Sequence, residues 1–189
     1  FIYSASLEKG FTPATVIPDE PVVLEAEQTG SQRWEPKNYD GKFEGPMRLR
    51  TALAKSKNMV SIRILEAIGP KYAQEYVTRF GFEPEKHPPY LTMALGAGSV
   101  TEWQMARAYA VFANGGYLVQ PYFILKIVDD RGTPLALANP KRAGDESLRV
   151  LDPRNAALLT AVGFGRAAPN VSSAGSDSPS MPTRVSGSR

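Results

Sequence analysis

Pro46-Met-Arg-Leu-Arg-Thr-Ala-Leu-Ala-Lys-Ser-Lys-Asn-Met-Val60 carries a helical pattern that breaks in two at Ser56-Lys57-Asn58. Before the break, Met47, Leu49, Leu53 and Ala54 predict a helix opening at Pro46. After it, Met59, Ile62, Leu65 and Ile68 recur at helical spacing until Gly69-Pro70 stops them. Ser56 and Asn58 lie two apart, so a tight turn between helices can aim both side chains into one cleft. Acyl transfer by a serine needs a nucleophile, a base for its proton and donors for the oxyanion. A second serine can relay the proton, and an asparagine amide can hold the amide of a substrate. The tripeptide alone is a weak signal, expected roughly half a time by chance in a chain this long. Its plainer role is a serine that breaks and caps helices.

The pattern continues on both sides. Ile2, Tyr3, Ala5, Ser6 and Leu7 end a helix at Gly10. Residues 11–46 are rich in Pro, Gly and Asp and predict a long irregular connection, with a short extended piece at Val22-Val23-Leu24. Connections this long often line functional clefts. A third helix starts near Pro70, carries Tyr72, Tyr76, Val77 and Phe80, and ends at Gly81. A proline-rich loop spans 82–90, and Leu91–Leu95 is an apolar run of either type. Thr101 and Gln104 form a capping box for a helix running to Asn114. Leu118–Val128 predicts a β-segment, Asp129-Asp130-Arg131-Gly132 a hairpin turn into Leu135–Leu137, and Asp152-Pro153 the start of a last helix through Val162. In residues 163–189, Ser, Gly and Pro make up 14 of 27 residues. That composition buries too little to offset its ordering entropy. The expected organisation is one domain over 1–162 and a disordered or foreign tail over 163–189.

Composition excludes several function classes. A net charge of +3 and 22% charged residues, with no basic run, give no footprint for nucleic acid. No window approaches the apolar length of a membrane span, and the first residues are no signal peptide. Cysteine is absent, which removes disulfides and thiolate metal sites and permits an extracytoplasmic home. His87 is the sole histidine, has no second imidazole to share a metal, and reads as a loop residue before Pro88-Pro89. No metal or cofactor is expected.

The blocks around Ser56 sharpen the reading. Trp34-Glu-Pro-Lys-Asn-Tyr-Asp-Gly41 matches a W-x-P-x-N-Y-x-G segment that precedes S-x-N in penicillin-binding transpeptidases. Leu95-Gly-Ala-Gly-Ser-Val-Thr-Glu-Trp-Gln-Met-Ala106 and Ala108-Tyr-Ala-Val-Phe-Ala-Asn-Gly-Gly116 are similar to two later segments of those enzymes. Phe1-Ile-Tyr-Ser-Ala-Ser-Leu-Glu-Lys-Gly10 resembles the end of their nucleophile helix. Together, from Phe1 to about Val162, the chain most resembles class A, high-molecular-weight penicillin-binding proteins of the 1A kind. That resemblance implies an α+β fold of the penicillin-binding transpeptidase and serine β-lactamase type, here mainly its helical lobe with an incomplete antiparallel sheet. It implies Ser56 as proton relay, Asn58 as ligand for the acyl-donor peptide, and Lys57 in the variable middle position. The implied partners are peptidoglycan stem peptides and β-lactams. The implied location is the periplasmic face of the inner membrane, with membrane attachment through other parts of the parent protein.

The toolkit has three parts, S-x-x-K, S-x-N and K-T-G. The sequence has no K-T-G, and its one S-x-x-K is Ser6-Leu-Glu-Lys9. Ser6 falls in the last turn of its helix, where carbonyls are unpaired and the dipole disfavours an oxyanion, so it is expected to be a surface serine. The expectation is therefore a partial D,D-transpeptidase domain, inactive alone, with apolar faces left exposed. Two alternatives stand beside it: a D,D-carboxypeptidase or β-lactamase relative, and a non-catalytic module that binds peptidoglycan or a partner through Trp34, Tyr39 and the helical surface.

Overall fold

The computed structural model describes residues 1–164; most of the 163–189 tail lies outside the described residues. Seven α-helices, four short strands and several 3-10 turns follow one another in this part of the chain. The helices are α1 (Ile2–Glu8), α2 (Ala26–Thr29), α3 (Leu49–Lys55), α4 (Asn58–Ile68), α5 (Pro70–Val77), α6 (Glu102–Ala113) and α7 (Pro153–Phe164). The strands are β1 (Val16–Asp19), β2 (Gly45–Arg48), β3 (Lys126–Val128) and β4 (Pro134–Leu137). They form two separate antiparallel pairs, β1 with β2 and β3 with β4. The architecture is α+β, with helices dominating.

α4 is the central helix because it is apolar on two sides. Met59, Ile62, Leu65 and Ile68 join one cluster with Tyr76, Phe80, Val111, Phe112 and Leu151. Val60 and Ile64 join a second with Tyr3, Ile17, Met47, Leu49 and Ala52. A helix that buries most of its circumference must lie in the core. Its first residue, Asn58, is thereby held on a rigid base.

A polar bolt ties α1, α5 and α7 together. Ser4 Oγ lies 2.8 Å from the Tyr76 hydroxyl and donates to Asn155 Oδ1 at 2.9 Å, and Asn155 Nδ2 donates back to Ser4 O. All three residues are buried, so their polar groups satisfy one another, as burial requires.

Two expectations from periodicity change. The helix predicted from Pro46 begins only at Leu49, because Gly45–Arg48 is a strand whose Met47 alone turns inward against β1. Four residues with one buried position fit either period, and pairing with 16–19 decides for the strand. The connection over 11–46 accordingly begins and ends near a β-ladder, and of Val22-Val23-Leu24 only Leu24 bridges, to Trp34. The other boundaries lie near their predicted places. The third helix tightens to 3-10 over Thr78–Phe80 before Gly81, Leu91–Leu95 is a 3-10 helix, and the last helix reaches Phe164. The β-segment predicted over 118–128 is strand only at Lys126–Val128.

Candidate functional site

α3 ends in a Schellman motif. Lys57 N–H donates to Ala52 O and Ser56 N–H to Leu53 O, both at 3.0 Å, and this pattern puts Ser56 in the left-handed conformation, φ 54° and ψ 48°. Glycine is the usual residue there. Ser56 is the only non-glycine residue with positive φ among the described residues, and such a position costs a side chain about 1–2 kcal/mol. Strain of this kind concentrates at functional sites. Ser56 is exposed, and with Asn58, Asn38, Tyr39 and Asp40 it lines a cavity of about 430 Å³. Ser56 and Asn58, paired by the sequence, thus do share one cleft.

The far wall comes from residues 36–44, which cross over the turn as a strap. Asn38 is its clamp. Its Oδ1 accepts from the Asn58 N–H at 2.8 Å and the Met59 N–H at 3.4 Å, capping α4 from outside the helix. Its Nδ2 donates to Asp19 Oδ1 and to Lys42 O, both at 2.7 Å. Asn58 reaches back, with Nδ2 donating to Lys37 O at 2.8 Å. The asparagine of the Trp34–Gly41 block therefore exists to seat the turn.

Lys57 points the other way, under the strap. Its side chain is 2% exposed, and its Nζ lies 3.0 Å from Glu44, 3.2 Å from Asp40 and 3.4 Å from Asp19, whose own side chain is fully buried. Lys42 O accepts a further bond at 3.3 Å. Burial by itself lowers the ammonium pKa, but the hydrogen bonds to Glu44 and Asp40 and the charge of Asp19 outweigh it and hold Lys57 above its ordinary value. The Lys42 N–H and Lys57 hold the Asp40 carboxyl below the usual carboxylate range. Lys55 and then Lys57 do the same for Glu44. A lysine so held stays charged and cannot serve as a base near neutral pH. Sequence reasoning gave Lys57 no task beyond the middle position and passed over Asp19, Asp40 and Glu44. Asn38 and Asp40 stand inside the quoted Trp34–Gly41 block, whereas nothing in the sequence marks Asp19.

Ser6 and His87 lie elsewhere. Ser6 is fully buried rather than on the helix surface, because α1 is covered on that side, and its Oγ donates to Tyr3 O at 2.8 Å. Its hydroxyl is used by its own helix. His87 packs against the Phe82 ring, tilted at 52° with centroids 5.4 Å apart, and burial lowers its pKa. It lines a mostly apolar cavity of about 310 Å³ away from Ser56. Among the described residues no group of His, Asp and Glu is arranged to hold a metal ion, and no helix is long and apolar enough to cross a membrane.

The penicillin binding protein transpeptidase domain family matches residues 1–160. The chain belongs to that family. It is 50% identical to penicillin-binding protein 1A of Neisseria flavescens over 159 residues, which are 84% of this chain and 20% of that protein. It is 46% identical to penicillin-binding protein 1A of Haemophilus influenzae over 143 residues, 76% of this chain and 16% of that protein. The crystal structure of the Haemophilus influenzae protein superposes with a TM-score of 0.78 at 38% identity, covering 85% of this chain and 28% of that one. Penicillin-binding protein A of Mycobacterium tuberculosis, solved as an imipenem acyl-enzyme complex, gives 0.72 at 20% identity over 89% of this chain and 42% of that one. It is similar in fold alone. The chain spans about a fifth of the length of the curated relatives it matches.

Proposed function

We propose that residues 1–162 form the S-x-N wall of a serine D,D-transpeptidase that cross-links peptidoglycan stem peptides through an acyl-enzyme, the intermediate that β-lactams mimic. In this reading Ser56 relays the proton and Asn58 holds the amide of the acyl donor. The observation that carries it is Ser56 itself: a serine held at left-handed φ beside Asn58, both lining one cavity whose other wall is Asn38, Tyr39 and Asp40. The chemistry calls on no cofactor. The working location is the periplasmic face of the inner membrane.

The 189 residues alone do not form an acyl-enzyme in this reading. Ser6 is buried, Lys57 is locked as a cation, and no K-T-G is present. Fluorescent penicillin should leave this chain unlabelled, and a label mapped to Ser6 by peptide mass overturns that. Replacing the matching segment of the Haemophilus influenzae protein with residues 1–160 should preserve labelling. Ser56→Ala or Asn58→Ala in that chimera should slow acylation by about 10²-fold or more; an unchanged rate removes the assigned roles. The alternative of a non-catalytic module that binds peptidoglycan or a partner has Tyr39 in its favour, fully exposed at the cavity rim, while Trp34 is packed against the core. Retention on peptidoglycan that is lost with Tyr39→Ala in this chain would favour it.

A further inference from the structure

We propose that Lys57 is the positioning residue of the Ser56–Asn58 turn: its buried ammonium pins the 38–44 strap across the cleft and holds Ser56 in its left-handed conformation. The role rests on the reading of Ser56 and Asn58 as acyl-transfer groups, and gives the middle of the tripeptide a task which that reading leaves blank.

The argument is one of connectivity. Lys57 stands between the two residues whose placement matters, with φ −76° and ψ 114°, an extended link between helices. The Lys57 side chain is buried under the strap, while Ser56 is exposed and Asn58 half-buried at the cavity on either side of it. The ammonium then collects β1 through Asp19 and the strap through Asp40, Glu44 and Lys42 O. Asp19 in turn accepts from the Glu44 N–H at 3.0 Å and from Asn38, and Asn38 caps the helix that Asn58 begins. The loop of bonds closes on itself: Lys57, Asp19, Asn38, Asn58.

Without the charge, Asp19 is a buried carboxylate lacking its cation, Asp40 loses its partner across the cleft, and Glu44 is left with Lys55 alone. The strap then lifts, Asn38 leaves the α4 terminus, and the Schellman bond from the Lys57 N–H to Ala52 O loses the anchor beyond it, so that Ser56 can relax from a conformation that disfavours a side chain.

The test uses the 189-residue chain and two readouts, hydrogen exchange of the 38–44 amides and the backbone chemical shifts that report φ at Ser56. Lys57→Met, which keeps the volume and removes the charge, should lower protection of 38–44 by about tenfold or more and release Ser56 from positive φ, with α5 and α6 unchanged. Lys57→Arg, which keeps the charge, should hold Ser56 at positive φ and restore most of the protection. Wild-type protection and φ in Lys57→Met overturn the proposal, as does a loss spread evenly over all helices. Should Lys57→Met not fold, Asp40→Asn decides, since Asp40 is half-exposed. It should lower protection of 38–44 alone by about threefold, and no change counts against the pin. An intact acylation rate for Ser56→Ala in the chimera removes the functional reading and leaves the pin standing.

Discussion

The strap over Ser56-Lys57-Asn58 and the β3–β4 hairpin are both short, irregular additions to a helical body, and they are built on opposite logic. The strap is polar and closed: Asp19, Asn38, Lys57 and Glu44 satisfy one another, two of the charges fully out of water. The hairpin is apolar and open. Phe123 is 85% exposed, Leu135 67% and Leu137 66%, and Ile127 and Val128 are exposed as well, so neither face of the two strands is covered. A hairpin of this size is marginal alone. It is held at its turn by Asp129 Oδ1, which accepts from the Arg131 and Thr133 N–H groups, and at its base by Phe123 edge-on to Trp103. The difference teaches where each region's specificity resides. The strap is specified by charges inside this chain, whereas the hairpin has a hydrophobic pattern that no other described residue buries.

Substitutions can break this contrast from either side. The largest effect should come from Asp19→Ala, which removes one of the three carboxylates around Lys57 and the acceptor of the Asn38 amide and of the Glu44 N–H, and should cost about 1–3 kcal/mol, read from chemical denaturation. Acid should attack the same cluster. Asp40 and Glu44 are held below their unfolded values, near 4, so their contribution is fully present above that value and is lost as pH falls toward and through the folded ones. Lys57 is held above its ordinary value, so its contribution is full below about 10 and is lost only on passing above. With Asp19 and Lys55 as the other charges facing the cluster, its own contribution should be flat from about pH 5 to 10 and decline below, separate from the loss below about pH 6.5 that the lowered pKa of His87 brings. Asp40→Asn with Glu44→Gln should flatten the acid limb in a denaturation series against pH. Ser56→Gly should act in the opposite sense and raise stability by about 0.5–1 kcal/mol, the relief of left-handed strain less the added freedom of the unfolded chain. If the residue serves chemistry, the same change should slow acylation in the chimera. The smallest effect on stability belongs to the hairpin. Phe123→Ser with Leu135→Thr should shift unfolding by no more than about 0.5 kcal/mol, yet reduce self-association in sedimentation velocity.

The helices were legible because their signals are local. Thr101 with Gln104 wrote a capping box that forms as read, Gly81 ends its helix in the left-handed region, and Pro70 opens the next helix after Gly69. The turn of Asp129–Gly132 was legible for the same reason. What was not legible depends on partners distant in sequence. Gly45–Arg48 is a strand only because 16–19 lies beside it, and Ser6 is buried only because other helices cover α1. At the site, Ser56 and Asn58 could be named from spacing and from the blocks around them. The task of Lys57 could not, since a lysine between two polar residues reads as solvated until Asp19, thirty-eight residues earlier, is found against it.

That separation has a consequence for how the chain is made. During synthesis Asp19, Asn38, Asp40 and Glu44 all leave the ribosome before Lys57 does. Until it emerges, the Asp19 carboxylate in β1 has the Asn38 amide and the Glu44 N–H as partners but not the ammonium of Lys57. The ammonium that neutralises Asp19 and Asp40 therefore arrives only with the α3–α4 turn itself, and the cleft wall is completed by its latest residues.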